Sequence, residues 1–205
     1  KVMPVKRSAG VHLIAWNEEM TCPDKETAVT MEVAMPMFQI GFKAEPVDQG
    51  ENGVLQEIVG DLAAEVLFGE SSQLYLQMYE EGLIDSAFGG GFETVEGMAM
   101  LTACGDSEDP EKVRCAILER AQQLLREGID QAEFLRMKRS AMGRRIRSLD
   151  SFDSTCFRIC AYYFSGFDYF RFPEVYEKVT AEQVLAFLQK VVTEARCAMS
   201  VIQPK

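Results

Sequence analysis

Residues 50–81, GENGVLQEIVGDLAAEVLFGESSQLYLQMYEE, contain two helix patterns in succession. In the first pattern, apolar side chains recur at helical spacing over about five turns. They are Val54, Leu55, Ile58, Val59, Leu62, Val66 and Leu67. Gly69 follows where a left-handed C-terminal cap is expected, and Ser71 or Ser72 offers an oxygen to begin a second helix that Gly82 ends. We therefore expect a long core helix followed by a short one.

Strand patterns lie on both sides of these helices. Residues 29–42 are rich in β-branched and apolar side chains and predict a near-central strand, in which Pro36 marks an edge or a bulge. Residues 84–93 and 97–104 indicate a hairpin, and the triplet Gly89-Gly90-Gly91 predicts a bulged or bent strand within it. Residues 197–202 form a last strand, and a short strand is expected over 11–16.

Several helices separate the hairpin from the last strand. Three of them begin with side-chain caps. These are Asp109-Pro110 before a helix that Gly128 ends, Asp130 with Glu133, and Thr180 with Gln183. An aromatic-rich helix runs from Phe152 to about Phe164.

The order of these elements predicts an α+β fold, an antiparallel sheet with helices packed on one face. No Ser/Pro/Gly-rich linker divides the chain, so residues 29–205 are expected to form a single domain. Residues 1–28 are expected to form an N-terminal arm or linker.

The composition excludes several classes of function. The net charge of -11 argues against general binding to nucleic acid or an anionic membrane. The longest apolar runs are far shorter than the roughly 20 residues of a spanning helix. Six cysteines are scattered singly along the chain, a pattern that favours buried free thiols in a cytoplasmic protein.

The chain lacks the residues of a hydrolytic zinc site. Such a site needs three protein ligands, and helical versions place two histidines one turn apart. His12 is the only histidine, and neither H-E-x-x-H nor H-x-x-E-H surrounds it. Cys156 and Cys160 share one helix face, yet two thiols without paired C-x-x-C turns favour packing over metal binding. We therefore expect no catalytic residue, no metal ligand and no cofactor in this chain.

Two clusters remain as candidate binding sites. Residues 136–147 form a basic helix segment, which predicts a solvated face or, as the alternative, a site for an acidic partner. Arg158 and Tyr162 are one helical turn apart, with Tyr163 and Tyr169 close in sequence. The donors of Arg158 and Tyr162 could hold a peptide carbonyl, so this pair is the candidate substrate-binding site; core packing is the alternative.

Four segments together resemble the insulinase (pitrilysin) family of zinc peptidases. They are MEVAMPMFQIGFK (31–43), LFGESSQLY (67–75), EEGLIDSAF (80–88) and VTAEQV (179–184). The second is similar to the family's G-x-S-S-x-L/F pattern, and the last to its V-T-x-E-D-V helix opening. The resemblance keeps the order and spacing of these motifs over residues 29–202, which makes it specific.

The resemblance implies a function for the chain as one half of a clamshell. Family members consist of two homologous α+β halves, of which one holds zinc through H-x-x-E-H and a distant Glu. This chain resembles the other, non-catalytic half, whose Arg and Tyr reach the substrate; Arg158 and Tyr162 are the matching pair. The implied partners are a zinc-binding catalytic half, upstream in the same chain or a separate subunit, and an extended peptide substrate.

Two other functions remain open at this point. The chain is also compatible with a peptide-binding or scaffold subunit of an assembly without proteolytic activity. A weaker option is a nucleic-acid binder that uses residues 136–147.

Overall fold

The computed structural model describes residues 19–95 and 97–205. Within these ranges five strands form one sheet. They are β1 (Glu26–Met31), β2 (Met37–Ala44), β3 (Gly89–Val95), β4 (Met98–Asp106) and β5 (Cys197–Pro204). The sheet order is β1-β5-β2-β4-β3, so β1 and β3 are its edges. All neighbours are antiparallel except β1, which pairs with β5 in parallel.

The same part of the chain forms seven α-helices. They are α1 (Gly50–Phe68), α2 (Gln73–Glu80), α3 (Pro110–Glu127), α4 (Gln131–Arg147), α5 (Phe152–Phe164), α6 (Phe172–Lys178) and α7 (Ala181–Val191). The helices cover one face of the sheet. Along β2, for example, Phe38, Ile40, Phe42 and Ala44 are buried beneath them, whereas the alternating residues are more exposed. The predicted α+β fold class is confirmed.

Helix α1 is central to the core because it packs against both the sheet and its neighbouring helices. It crosses the edge strand β3 at short range, where Gly60 faces the ring of Phe92. A Cβ atom at position 60 would lie 2.3 Å from Cγ of Phe92. The ring of Phe92 packs edge-on against Phe187 of α7, with ring centroids 5.3 Å apart. This contact fixes one face of α1 directly beside the edge of the sheet.

The sequence located the helix starts correctly, because caps are local. The carboxylates of Asp109 and Asp130 accept the backbone N–H groups of Lys112 and Glu133. Thr180 and Gln183 form both hydrogen bonds of a capping box. The left-handed cap predicted at Gly69 is wrong: its φ and ψ are -61° and 157°, and its N–H instead donates to the carbonyl of Glu65.

The segment predicted as one strand over 29–42 is two. Pro36 lies in the break between β1 and β2. The two strands are not neighbours, because β5 lies between them in the sheet. Strand β1 begins at Glu26, so residues 26–28 of the expected arm pair with β5. The strand expected over 11–16 lies outside the described residues.

The expectation of buried thiols is wrong for most of the cysteines. Cys22 and Cys197 are buried, whereas Cys104, Cys115, Cys156 and Cys160 are exposed. Apolar neighbours in sequence did not reveal which face of each element points outward. Among the described residues, no helix is long and apolar enough to cross a membrane.

The glycine triplet of β3 gives a stability prediction. A Cβ atom at Gly90 would lie 2.0 Å from the carbonyl oxygen of Thr102 on β4, whereas one at Gly91 would meet nothing within 4 Å. We expect Gly90→Ala to lower the free energy of unfolding by about 1–3 kcal/mol, because backbone cannot move aside as a side chain can. The matched control Gly91→Ala should change it by less than about 0.5 kcal/mol. Equal stability of the two variants in urea denaturation would contradict this packing.

Candidate functional site

A groove of about 1020 Å³ lies between the edge strand β3 and the helices α1, α4 and α5. One side is formed by the start of β3, including Gly89, Gly90 and Gly91. These residues pair with Cys104, Ala103 and Thr102 in unbroken register, so the predicted bulge is absent. Because the three glycines carry no side chains, the backbone of the sheet edge is accessible from the groove.

Helix α1 presents a row of three carboxylates to this groove. Glu57, Asp61 and Glu65 are one turn apart and half-buried. Glu65 pairs with Arg144 of α4. Glu57 accepts a hydrogen bond from the hydroxyl of Tyr162, with the two oxygens 2.5 Å apart. Among the described residues, no side-chain hydrogen bond or ion pair holds the carboxylate of Asp61.

Arg145 of α4 occupies the centre of the opposite wall. Its guanidinium carbon lies 5.4–5.6 Å from the ring centroids of Tyr162, Tyr169 and Phe172. One nitrogen donates to the Tyr162 hydroxyl at 2.8 Å, while the buried Nε has no hydrogen-bond partner. The aromatic faces therefore supply much of the environment that replaces water around this cation.

The sequence analysis did not single out Arg145, although a signal for it was present. Phe134, Met137 and Ala141 are the buried residues of α4, and Arg145 continues their stripe by one more turn. The basic segment 136–147 is therefore not simply a solvated face. Arg145 lies half-buried at the groove, and the ammonium of Lys138 donates to the carbonyl oxygens of Glu177 and Val179.

The predicted pair Arg158 and Tyr162 lies in this groove. Both side chains are half-buried on α5 and line the cavity. Arg158 donates through Nη1 to the hydroxyls of Tyr169, at 3.2 Å, and Ser148, at 3.3 Å. The rings of Tyr162 and Tyr169 are stacked with centroids 5.3 Å apart. Tyr169 thus joins the pair, whereas Tyr163 points to solvent on the other side of α5.

The environment of the groove raises the pKa of two groups, Asp61 and Tyr162. Burial raises the pKa of Asp61 from its ordinary value of 3.8 to about 6, and the carboxylates of Glu57 and Glu65 add to the increase although Arg145 opposes it. Burial, with the nearby charge of Glu57, raises the pKa of Tyr162 well above its usual range despite Arg145. Tyr162 therefore remains a neutral hydroxyl, and its single proton is donated to Glu57.

The groove does not fit a catalytic zinc ion. Its carboxylates on α1 face the cations Arg144, Arg145 and Arg158 rather than further ligands. In residues 19–95 and 97–205, no group of three or more His, Cys, Asp and Glu side chains could hold a metal. The arrangement instead combines an exposed backbone edge with fixed hydrogen-bond donors, which suits binding of an extended polar chain.

Asp61 gives a prediction about pH. Between about pH 4 and 6 the folded protein keeps a proton on Asp61 that the unfolded chain has lost, so this group makes stability fall as pH rises. We expect Asp61→Asn to gain about 1–3 kcal/mol of unfolding free energy relative to wild type as the pH is raised from about 4 to 7. The control is Glu70→Gln, at an exposed carboxylate of the groove rim. Parallel curves of unfolding free energy against pH for wild type and Asp61→Asn would contradict the assignment.

Comparison with known proteins agrees with this fold. Residues 18–141 match the family model of the Peptidase M16 inactive domain. The M16 peptidases are the insulinase (pitrilysin) family that the sequence motifs indicated. The chain is also 28% identical over 185 residues to the uncharacterised zinc protease YmfH of Bacillus subtilis (strain 168).

Solved structures share the fold at lower identity. A protein of Alicyclobacillus acidocaldarius described as an M16-like peptidase superposes with a TM-score of 0.84 at 22% identity, over 91% of this chain and 45% of that one. The inactive peptidase domain of a Bordetella parapertussis protein described as a zinc protease superposes with a TM-score of 0.69 at 12% identity. The superposition covers 86% of this chain and 95% of that one. At these identities the likeness concerns the fold alone.

The chain matches only a part of its curated relative. The region matched to YmfH covers 88% of this chain but only 42% of YmfH. It therefore spans less than half of that curated relative. Because the family model covers more than half of this chain, the assignment is secure: the chain belongs to the family of Peptidase M16 inactive domains.

Proposed function

We propose that this chain is the non-catalytic half of a two-half zinc metallopeptidase, which encloses and contacts peptide substrate while the zinc site lies on another domain or subunit. The observation that carries the proposal is the groove, where β3, an edge of the sheet formed by the described residues, lies opposite the donors of α5. The catalytic half is upstream in the same chain or a separate subunit. It supplies the metal that activates water, and this half supplies enclosure and binding.

The edge strand β3 is suited to hold an extended peptide. Among residues 19–95 and 97–205, only β4 pairs with β3, so the outer N–H and C=O groups of β3 are offered to a strand from outside. The three glycines at its start leave room for a peptide backbone to approach. Substrate binding at this edge depends on main-chain hydrogen bonds, which tolerate different peptide sequences.

The pair Arg158 and Tyr162 is suited to contact the peptide from the opposite wall. The described hydrogen bonds of Arg158 all use Nη1, and the guanidinium carries further N–H donors on Nη2 and Nε. The contacts with Tyr169, Ser148, Glu57 and Arg145 hold both side chains in position before a ligand arrives. Side chains fixed in this way lose little conformational freedom on binding a peptide carbonyl, although the hydroxyl proton of Tyr162 must turn from Glu57 to the carbonyl.

The remaining features support a cytoplasmic assembly that binds neither nucleic acid nor membrane. All six cysteines are free, which suits a reducing compartment. The net charge of -11 disfavours anionic partners. The alternative is a peptide-binding or scaffold subunit of an assembly that has lost proteolysis.

Co-expression with the zinc-motif half tests the proposal. We expect the purified chain alone to show no zinc-dependent cleavage of a pool of internally quenched fluorescent peptides. The complex with the segment or subunit that carries H-x-x-E-H should cleave them, and a zinc chelator should abolish this cleavage because the metal activates the water. Cleavage by the isolated chain would refute the proposal. A stable complex that binds peptides without cleaving them would support the scaffold alternative.

Variants of α5 in the same complex test the pair itself. Arg158→Gln should lower kcat/KM by about tenfold because it removes guanidinium donors from a bound carbonyl, and Tyr162→Phe should do the same because it removes the one hydroxyl proton, which is donated to Glu57 in the free chain and turns to the carbonyl on binding. Tyr79→Phe on α2 is the matched control, because the side chain of Tyr79 is 52% exposed and lies outside both the groove and α5. Unchanged kcat/KM in Tyr162→Phe and Arg158→Gln would remove the pair from the substrate site. The thermal unfolding midpoint of each variant shows whether it is folded at the assay temperature.

A further inference from the structure

Helix α5 carries an apolar face that points to solvent. Four large aromatic side chains on this helix are between 74% and 84% exposed. They are Phe152, Phe157, Tyr163 and Phe164. Cys156 and Cys160 are also exposed and continue the row from Phe152 to Phe164 at intervals of four residues. We call these six residues the outer face of α5.

The inner face of the same helix is the more polar one. Thr155, Arg158 and Tyr162 are half-buried there and make hydrogen bonds with Leu149, Tyr169 and Glu57. No residue of α5 is fully buried. A surface helix normally turns its apolar side to the core and its polar side to water. In α5 large aromatic side chains face water although Ile159 and Tyr162 also pack against the core, which is the pattern of a helix with a second neighbour.

The outer face is large enough for a stable contact. An aromatic side chain buries roughly 150–250 Å² when it is fully covered. Four of them, each about three-quarters exposed, offer about 500 Å² on this side. The contact would therefore bury roughly 1,000 Å² when both partners are counted, which reaches the lower size limit of specific interfaces.

We propose that the outer face of α5 is the docking surface for the zinc-bearing half of the peptidase, an inference that rests on the proposed function. Two observations identify this occupant. The matched relative YmfH and the Alicyclobacillus structure contain at least as much chain again beyond the matched part. The outer face also adjoins the groove, because Phe157 belongs to both. A body that closes over the groove from the side of α5 thus covers this face.

The charge and polarity of the outer face of α5 indicate what kind of partner surface is complementary to it. Asp153 and Arg158 are the only charged residues of α5; Arg158 points inward to Tyr169, and the exposed Asp153 is the one charge on the outer side, in the first turn. The complementary surface is therefore apolar and carries few charges. Association through it should depend weakly on salt concentration, in contrast to binding of nucleic acid or an anionic membrane.

The native cysteines allow a test that needs no mutation. The chain is treated with iodoacetamide, alone and with a saturating amount of the H-x-x-E-H half, and labelling rates are measured by mass spectrometry. Cys156 and Cys160 should be labelled about tenfold more slowly in the complex, because alkylation requires access to the thiolate. Cys104, exposed on β4, is the internal control and should keep its rate.

A substitution gives an independent measure of the same contact. Phe157→Ser with Phe164→Ser should weaken the affinity for the zinc-bearing half by about tenfold or more, as expected for central aromatic contacts. The matched control is Leu76→Ser with Tyr79→Ser on α2, where both side chains are about half exposed.

The outcomes separate this inference from the proposed function. If the wild-type chain does not bind the zinc-bearing half at all, both are wrong. If it binds but Cys156 and Cys160 react as fast as in the free chain, only the docking surface is wrong. Protection of these thiols in the chain alone at rising concentration would identify a second copy as the occupant and overturn the inference as well.

Discussion

The arrangement of the groove depends on how one buried cation is accommodated. Removing a guanidinium from water is costly unless other groups replace the lost hydration. Arg145 meets this requirement with three aromatic rings and the hydroxyl of Tyr162. Those rings come from α5, α6 and the 3-10 turn between them. Because no residue of α5 is fully buried, the position of this helix rests largely on the cluster around Arg145.

The cluster links the two surfaces of α5 to the proposed function. On its inner side, Arg145 and Glu57 hold Tyr162 toward the groove beside β3. On its outer side, the same attachment leaves an aromatic face uncovered. A half that contributes binding without chemistry needs both surfaces, one for the substrate and one for the catalytic partner. The polar attachment of α5 is compatible with both proposed roles, because it leaves the apolar side chains of the outer face exposed.

Sequence reasoning succeeded where the determining interactions are local. Caps such as Asp130 and Thr180 act within one turn, and the dense apolar spacing of α1 reflects a helix that is buried on most of its circumference. Sequence reasoning failed where the structure depends on contacts between distant segments. The parallel insertion of β1 beside β5, the outward direction of Cys156 and the role of Arg145 all depend on elements far apart in the chain. Spacing predicted that Arg158 and Tyr162 share one face, and both line the groove, but their hydrogen-bond partners Ser148 and Glu57 were not predicted.

Hydrogen exchange measured by mass spectrometry tests the central claim, that Arg145 holds α5 as the wall of the groove. Arg145→Met is compared with Arg147→Met, which removes an exposed arginine from the end of the same helix. We expect the amides of α5 to exchange at least about tenfold faster in Arg145→Met, with the protection of α1 and α7 retained, because local opening follows the loss of local contacts. Equal protection of α5 in the two variants would contradict the account.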